Sequence, residues 1–339
     1  MTTDAVTTLS LVTLATEYRG DVVRQINRRT GLLKMLRIVP GGGPNIAWAP
    51  EGDGALAETY AEGADAVNFG RDVQDSAVLN WAFYRSAFHV TKHAMDSAAT
   101  SSSPVGNRQL WARNLVNSAG KLASYINQEA FAGPGTGTRM GGLATAILDS
   151  NDYAGIDPGS ETYWKSTVVD PGTDTDPTFA LLRDDLRLAY EASGMTPDQA
   201  VTTPAVFNKI GALFDATRRQ FESVNGGRGP VKLEFGFQAL EVDGTVFFKD
   251  KDCTAKTIYY MNSDYIEIQY LPSAEQNMLL EAMGADVTPD DGFGSVPLGF
   301  SFEMLAKTGP ASKAEVLWTG QLKVSRRNTH AVRAHVKDS

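Results

Sequence analysis

The chain has 339 residues, 42% of them apolar and 21% charged, and its 40 acidic and 31 basic side chains leave a net charge of −9. That composition belongs to a globular protein with one large or two ordinary cores; it argues against disorder and against a dedicated nucleic-acid reader, which needs clustered Lys and Arg to neutralise phosphates. A single cysteine, Cys253, rules out a disulfide within the chain and leaves no Cys-based zinc site; there is no apolar run of about 18 residues to cross a membrane, and the N-terminus lacks the basic start and apolar centre of a signal peptide.

Residues 1–37 read as an arm. Val22, Val23, Ile26, Leu33 and Leu36 recur with a helical period, and six basic side chains stand against three acidic ones. Arg24, Arg28 and Arg29 are candidates for contact with a partner chain or with nucleic acid; a solvated amphipathic helix explains the same charges. Gly41-Gly-Gly-Pro44 is a hinge-like break. From residue 45 to about residue 95 the pattern is extended: Ile46-Ala-Trp48, a polar tip rich in Gly and Ala, then a strand-like run from Val78 to Val90. Two extended runs around a loose end predict a long hairpin. Between residues 38 and 75 seven acids, among them Glu51, Asp53, Glu58 and Glu62, face Arg71 alone. An isolated pair of strands is at best marginally stable in water, so a protruding hairpin is expected to be covered by a neighbour.

The longest element follows. Ser103 caps and Pro104 opens a helix of roughly seven turns. Trp111, Leu115, Leu122, Ile126 and Ala130 form its apolar stripe, with Ala112, Ala119 and Ala123 beside them. Gly133, as a left-handed cap, and Pro134 end it. A glycine-rich turn then runs to Gly142 and into the apolar residues 143–147. Such a turn also fits an ordinary α/β connection. A phosphate cradle is a third reading, but it needs strand, glycines and then Lys-Ser/Thr at a helix start, and here the helix comes first.

Residues 176–194 predict a second amphipathic helix, capped by Asp176 or Thr178 with Pro177 in its first turn. Leu181, Leu182, Leu186, Leu188 and Ala189 supply its buried side, and Gly194 closes it. A short strand within 196–203 precedes a helix from Pro204 to about Phe221. A glycine-rich loop with Arg228 follows. From residue 231 to 271 the pattern is β, carried by Val246-Phe-Phe248, Thr257-Ile-Tyr-Tyr260 and Tyr265 to Tyr270. Residues 272–312, with many Gly, Pro and Met, read as loops or an inserted segment. Val316 to Val324 is a final strand region, and Lys323, Arg326, Arg327, Arg333 and Lys337 make the tail basic, either lining an interior or solvated.

No constellation for chemistry emerges. His89 and His93 are four apart and share a face on a helix or a strand, but no Glu lies between them as a zinc peptidase requires. Gly292-Phe-Gly-Ser lacks the Gly-x-Ser-x-Gly pattern, and Asp290 and Asp291 beside Pro289 and Gly292 read as a turn. Cys253 is expected in or beside a strand. The sequence therefore predicts no catalytic residue, no cofactor and no metal.

One stretch carries a family resemblance. Glu129, Ala130, Phe131, Gly133, Gly135, Thr136, Gly137, Gly142 and Leu143, at the end of a long helix, resemble the major capsid proteins of tailed phages, the Hong Kong 97-like fold. The resemblance continues more weakly through Tyr153, Gly155, Ile156 and Trp164 and near the C-terminus. The family usually has a Pro before the Gly-Leu, where this chain has Met140 and Gly141. The resemblance implies an α+β fold with an N-terminal arm (1–40), an extended hairpin loop (41–100), a peripheral domain on the spine helix (101–195 and 300–339) and an axial domain (196–299). It implies self-assembly into pentamers and hexamers of an icosahedral head around phage double-stranded DNA, held only by non-specific contact. It also implies synthesis in the host bacterial cytoplasm, a place in the virion capsid, no membrane, and separate scaffolding, portal and decoration partners. On this reading the arm and the acidic hairpin meet neighbouring subunits, and the Arg228 loop gathers near the symmetry axes. Some members crosslink the hairpin through a Lys; no Lys lies between Met35 and Thr91, so that chemistry is not expected. An encapsulin-type compartment shell, or a soluble α/β enzyme, are the alternatives.

Overall fold

A computed structural model describes residues 31–50, 59, 62, 76–100, 106–221, 240–272, 299–306 and 309–338. In chain order the first elements are α1 (Leu32–Met35), β1 (Arg37–Pro40), β2 (Asn45–Trp48), β3 (Ala77–Asn80), β4 (Ala82–Thr91), α2 (Lys92–Thr100) and the spine helix α3 (Gly106–Ala132). Next come α4 (Leu143–Ala146), β5 (Thr167–Val169), α5 (Phe179–Ser193), β6 (Gln199–Thr202), α6 (Pro204–Phe221), β7 (Leu240–Val242), β8 (Thr245–Lys249), β9 (Ile258–Met261) and β10 (Ile266–Tyr270). β11 (Ser301–Leu305), β12 (Ala311–Val324) and β13 (Ala331–Arg333) complete the order.

The chain divides into two compact units, one from residues 1–43, 81–140 and 268–322, the other from 44–80, 141–267 and 323–339. In the first, α3 lies against β4. The predicted stripe is its buried face: Trp111, Ala112, Leu115, Ala119, Leu122, Ala123, Ile126 and Ala130 are all 2% exposed or less. Burying Leu115, Leu122 and Ile126 contributes about 1.5–3 kcal/mol each, so packing rather than helix propensity holds the spine. β4 turns Ala82, Tyr84 and Val90 inward, and Phe88 meets the Trp111 ring edge-on at 5.6 Å. β12 is the shared strand of a five-stranded sheet ordered β1-β10-β12-β11, with β4 also paired to β12.

The second unit holds a six-stranded mixed sheet ordered β5-β13-β9-β6-β8-β7. β6 and β8 run parallel, joined across α6, and so do β5 and β13. Leu182, Leu186 and Ala189 of α5 and Val206, Phe207 and Ile210 of α6 pack with Ala200, Phe247, Ile258 and Tyr260 of the sheet. The β7–β8 turn is Asp243-Gly244, both with positive φ, the conformation that a two-residue hairpin demands. β2 and β3 form a separate antiparallel pair, Asn45 opposite Asn80 and Trp48 opposite Ala77.

Several expectations are corrected. The extended run from 45 to 95 is not continuous: Trp81 separates β3 from β4, and α2 begins at Lys92. Trp81 is 5% exposed, and its indole N–H donates to Gly43 O at 3.0 Å. Of the hinge-like glycines Gly41 is packed: its N–H donates to Tyr270 O at 2.7 Å, and a Cβ on it would stand 2.6 Å from the Trp81 ring, whereas Gly42 is exposed. α5 starts at Phe179, with the Thr178 hydroxyl accepting from Leu181 N–H at 3.2 Å, so Pro177 lies before the cap and not in the first turn. Leu181 and Leu188 are only half-buried, and Asp185 takes a buried place beside Leu182 and Leu186. Within the predicted loop 272–312, β11 is a strand, and β12 begins at Ala311 rather than Val316.

Candidate functional site

The turn after the spine helix is built by close backbone approach. Gly133 N–H closes the last helical turn onto Glu129 O at 2.7 Å. A Cβ on Gly133 would stand 2.1 Å from Met140 O and 2.5 Å from Glu129 O, which only glycine permits. Gly133 does not take a left-handed conformation, contrary to expectation; Gly135 (φ 68°) and Gly137 (φ 64°) do. The loop returns through Gly135 N–H to Met140 O at 3.1 Å and Arg139 N–H to Thr136 O at 3.2 Å. Thr138 O accepts from Phe83 N–H at 3.1 Å, which ties the loop to β4.

A buried carboxylate fixes this geometry. Glu129 is 5% exposed and accepts two bonds from Arg139, Nε to Oε2 at 3.0 Å and Nη2 to Oε1 at 2.6 Å. The Tyr84 hydroxyl donates to Glu129 Oε2 at 3.3 Å and accepts from Met140 N–H at 2.7 Å. Burial pushes the Tyr84 hydroxyl well above its usual value, so it remains a donor. A proline at position 140 would supply no such N–H. Residues 135–139 are exposed, so the turn presents a clamped tip to the surface. It follows a helix C-terminus, whose partial negative charge repels anions, so a phosphate cradle is excluded on sign.

The second unit carries two buried cations. Arg327 is fully buried and donates to three carbonyls: Ala146 O at 2.8 Å, Leu148 O at 2.6 Å and Asn151 O at 3.1 Å. Burial lowers its pKa to about 10, and its guanidinium lies 5.4 Å from the Tyr153 ring centre. Arg333 clasps Asp185 through Nε at 2.6 Å and through Nη2, and Tyr260 OH donates to the same carboxylate at 2.9 Å. Burial pushes the Asp185 carboxyl up, against the pull of Arg333 and Tyr260. Lys323 pairs with Glu267 and Lys337 with Asp176, and Arg326 donates to Asn328. Two cations of the basic tail, Arg327 and Arg333, are therefore held inside the fold, whereas Lys337 pairs with Asp176 at the surface.

Of the sequence-predicted contact residues, only Glu62 is described, exposed in a turn. Arg24, Arg28, Arg29, Glu51, Asp53, Glu58 and Arg228 lie outside the described residues, as do Ser103, Pro104, Asp290, Asp291 and the 292–295 segment. His89 ends up in β4 and His93 in α2, so they share no face. Among the described residues no group of three His, Cys, Asp or Glu could hold a metal, and no helix is long and apolar enough to cross a membrane. Cys253 is buried between β8 and β9, and burial pushes its thiol far up, away from a nucleophilic thiolate. Sequence reasoning did not single out Tyr84, Asp185 or Arg139. Arg139 was findable, since it stands in the same glycine-rich motif as Glu129; the other two had no local signal.

A model of the SU10 major capsid protein family matches residues 123–337, from within the spine helix through the glycine-rich turn to the tail. The chain belongs to that family. It is a major capsid protein of the tailed-phage kind, with a structural role. Solved structures share its Hong Kong 97-like α+β fold at low identity. The capsid of cyanophage A-1(L) is 18% identical with a TM-score of 0.70, over 91% of this chain and 93% of that one. The SrpI encapsulin of Synechococcus elongatus is 14% identical with a TM-score of 0.57, over 91% and 88%. The capsid of a native GTA particle is 11% identical with a TM-score of 0.56, over 90% of each chain. Among curated proteins no sequence matches the chain. In this capsid protein the family's helix acid and glycines are explained by one clamp: Glu129 holds Arg139 and Tyr84, and Gly133 admits Met140.

Proposed function

We propose that this capsid protein assembles into pentamers and hexamers that close an icosahedral head around phage double-stranded DNA. The family match over residues 123–337 carries the reading, because it spans the clamped turn and every strand from β5 to β13. Shell building is geometric work. Each subunit makes heterologous contacts with the next, and simultaneous engagement of several weak contacts gives avidity. Residues 1–40 act as an arm, 41–100 as the extended loop, 101–195 with 300–339 as the peripheral domain and 196–299 as the axial domain. These are roles in a shell, a different division from the compact units of one chain. DNA is held without sequence-specific contact, scaffolding, portal and decoration proteins are separate chains, and the protein is made in the host cytoplasm.

Electron microscopy of the purified protein, with a light-scattering mass, tests this. Closed shells or rings of five or six subunits are expected. A monomer or dimer that never assembles under changed salt or crowding would overturn it. The encapsulin likeness gives a second reading, a compartment, which shells filled with a cargo protein in place of nucleic acid would favour.

A further inference from the structure

The solvent face of the spine helix is chemically uniform. Arg113, Asn117, Lys121, Tyr125 and Gln128 are all exposed, and steps of four or three residues put them in one strip turned away from the buried stripe. The strip holds no acid. Its side chains are cations, amides and a hydroxyl, the groups that bond phosphate oxygens on nucleic acids. Arg113 and Lys121 make no hydrogen bond or ion pair among the described residues. The wider stretch from residue 76 to residue 140 has six basic residues and only two acids, in a chain whose net charge is −9. Both acids are already matched, Asp96 by Lys92 at 2.8 Å and Glu129 by Arg139 at 2.6 Å. The cations of the strip therefore have no acid of their own stretch to turn to.

Charge complementarity selects the occupant. From Arg113 to Gln128 the strip is about 22 Å long. Duplex DNA carries about thirteen phosphate charges over that length. Two unmatched cations meet few of them, so the contact is loose and blind to sequence. A lipid surface fits less well, because the strip offers no aliphatic side chain to insert. We propose that this strip lines the inside of the head and meets the phosphates of the packaged duplex, Arg113 and Lys121 by charge and Asn117, Tyr125 and Gln128 by hydrogen bonds. The inference rests on the shell reading above and names the surface that carries its DNA contact.

Two measurements test it on the full chain. In the first, DNA-filled heads and the same heads emptied of DNA are exposed to hydroxyl radicals, and oxidation is read by mass spectrometry. Tyr125, 45% exposed in the subunit, is expected to lose reactivity in filled heads and regain it in emptied ones, with Tyr190 of α5, 55% exposed, as the reference. Equal reactivity in both would overturn the proposal and leave the shell reading standing; Tyr125 shielded in both would mean that protein, an acidic segment of another chain for instance, covers the strip. In the second, the unassembled subunit is titrated with duplex DNA at several salt concentrations. Replacing both cations, Arg113→Gln with Lys121→Gln, should reduce the slope of log affinity against log salt by about two. Lys165→Gln with Lys251→Gln removes the same charge from exposed positions of the second unit and should leave the slope unchanged. A slope unaltered by the first pair, or reduced as much by the second, would overturn the proposal. Wild-type protein that forms no shells would overturn the shell reading, and with it the packaged duplex as occupant.

Discussion

At the scale of single residues, acid sensitivity is concentrated in His330. It is fully buried, its Nδ1 accepts from Asn262 N–H at 3.2 Å, and burial lowers its pKa from 6.5 to about 3. Between those values the unfolded chain takes a proton that the folded one refuses. Stability should therefore fall as pH falls, by about 1.4 kcal/mol per unit from this group alone. Asp170 and Asp176 are held below the usual carboxylate range, Asp170 by Gly172 N–H and His335 and Asp176 by Lys209 and Lys337, so their contribution is lost only at lower pH. Urea titration of the unassembled subunit between pH 6.5 and 4 should show the slope, and His330→Gln should flatten it; equal slopes would refute the assignment. None of this was legible in the sequence, where His330 was one of four histidines. The basic tail shows why. Its charges were visible, but the partner of Arg333 lies 148 residues away, and burial, which decides whether a cation binds or props, is set by tertiary contacts.

Elements were far more legible. The spine helix, α5 and α6 declare themselves through apolar periodicity and capping residues, because helical contacts are local. What periodicity could not show is where an extended run changes partner, as at Trp81, or that β11 exists, since a five-residue strand pairing with β12 has only a weak local signal. The clamped turn was half legible. Its glycines marked a special backbone, but the sequence suggested a left-handed Gly133 where the structure needs a missing Cβ. Gly133→Ala should accordingly cost about 3 kcal/mol by overpacking against the backbone. Gly137→Ala, with open space around it but φ 64°, should cost only about 1–2 kcal/mol. Melting of the two variants checks the order, and the reverse order would show that conformation rather than contact requires Gly133.

For the whole molecule, neither the mixed six-stranded sheet nor the division into two units was legible, because both rest on pairings between distant segments, and the fold class was reached through one motif rather than through topology. Assembly belongs at this scale. Removing residues 1–30, which keeps the buried Leu32, Leu33 and Leu36, should leave a subunit with unchanged β-sheet circular dichroism and no shells by microscopy, if the basic arm reaches a neighbour; normal shells from the shortened chain would refute that role.

β12 joins strands on both of its sides, and β13 lies between β5 and β9. The first sheet cannot join until the chain has been synthesised past Ala311, and β5 cannot join the second until it has passed Ala331, because β12 and β13 come late. A growing chain on the ribosome therefore displays no finished wall to its neighbours. Order of translation should therefore delay polymerisation on crowded polysomes until β12 and β13 have both emerged.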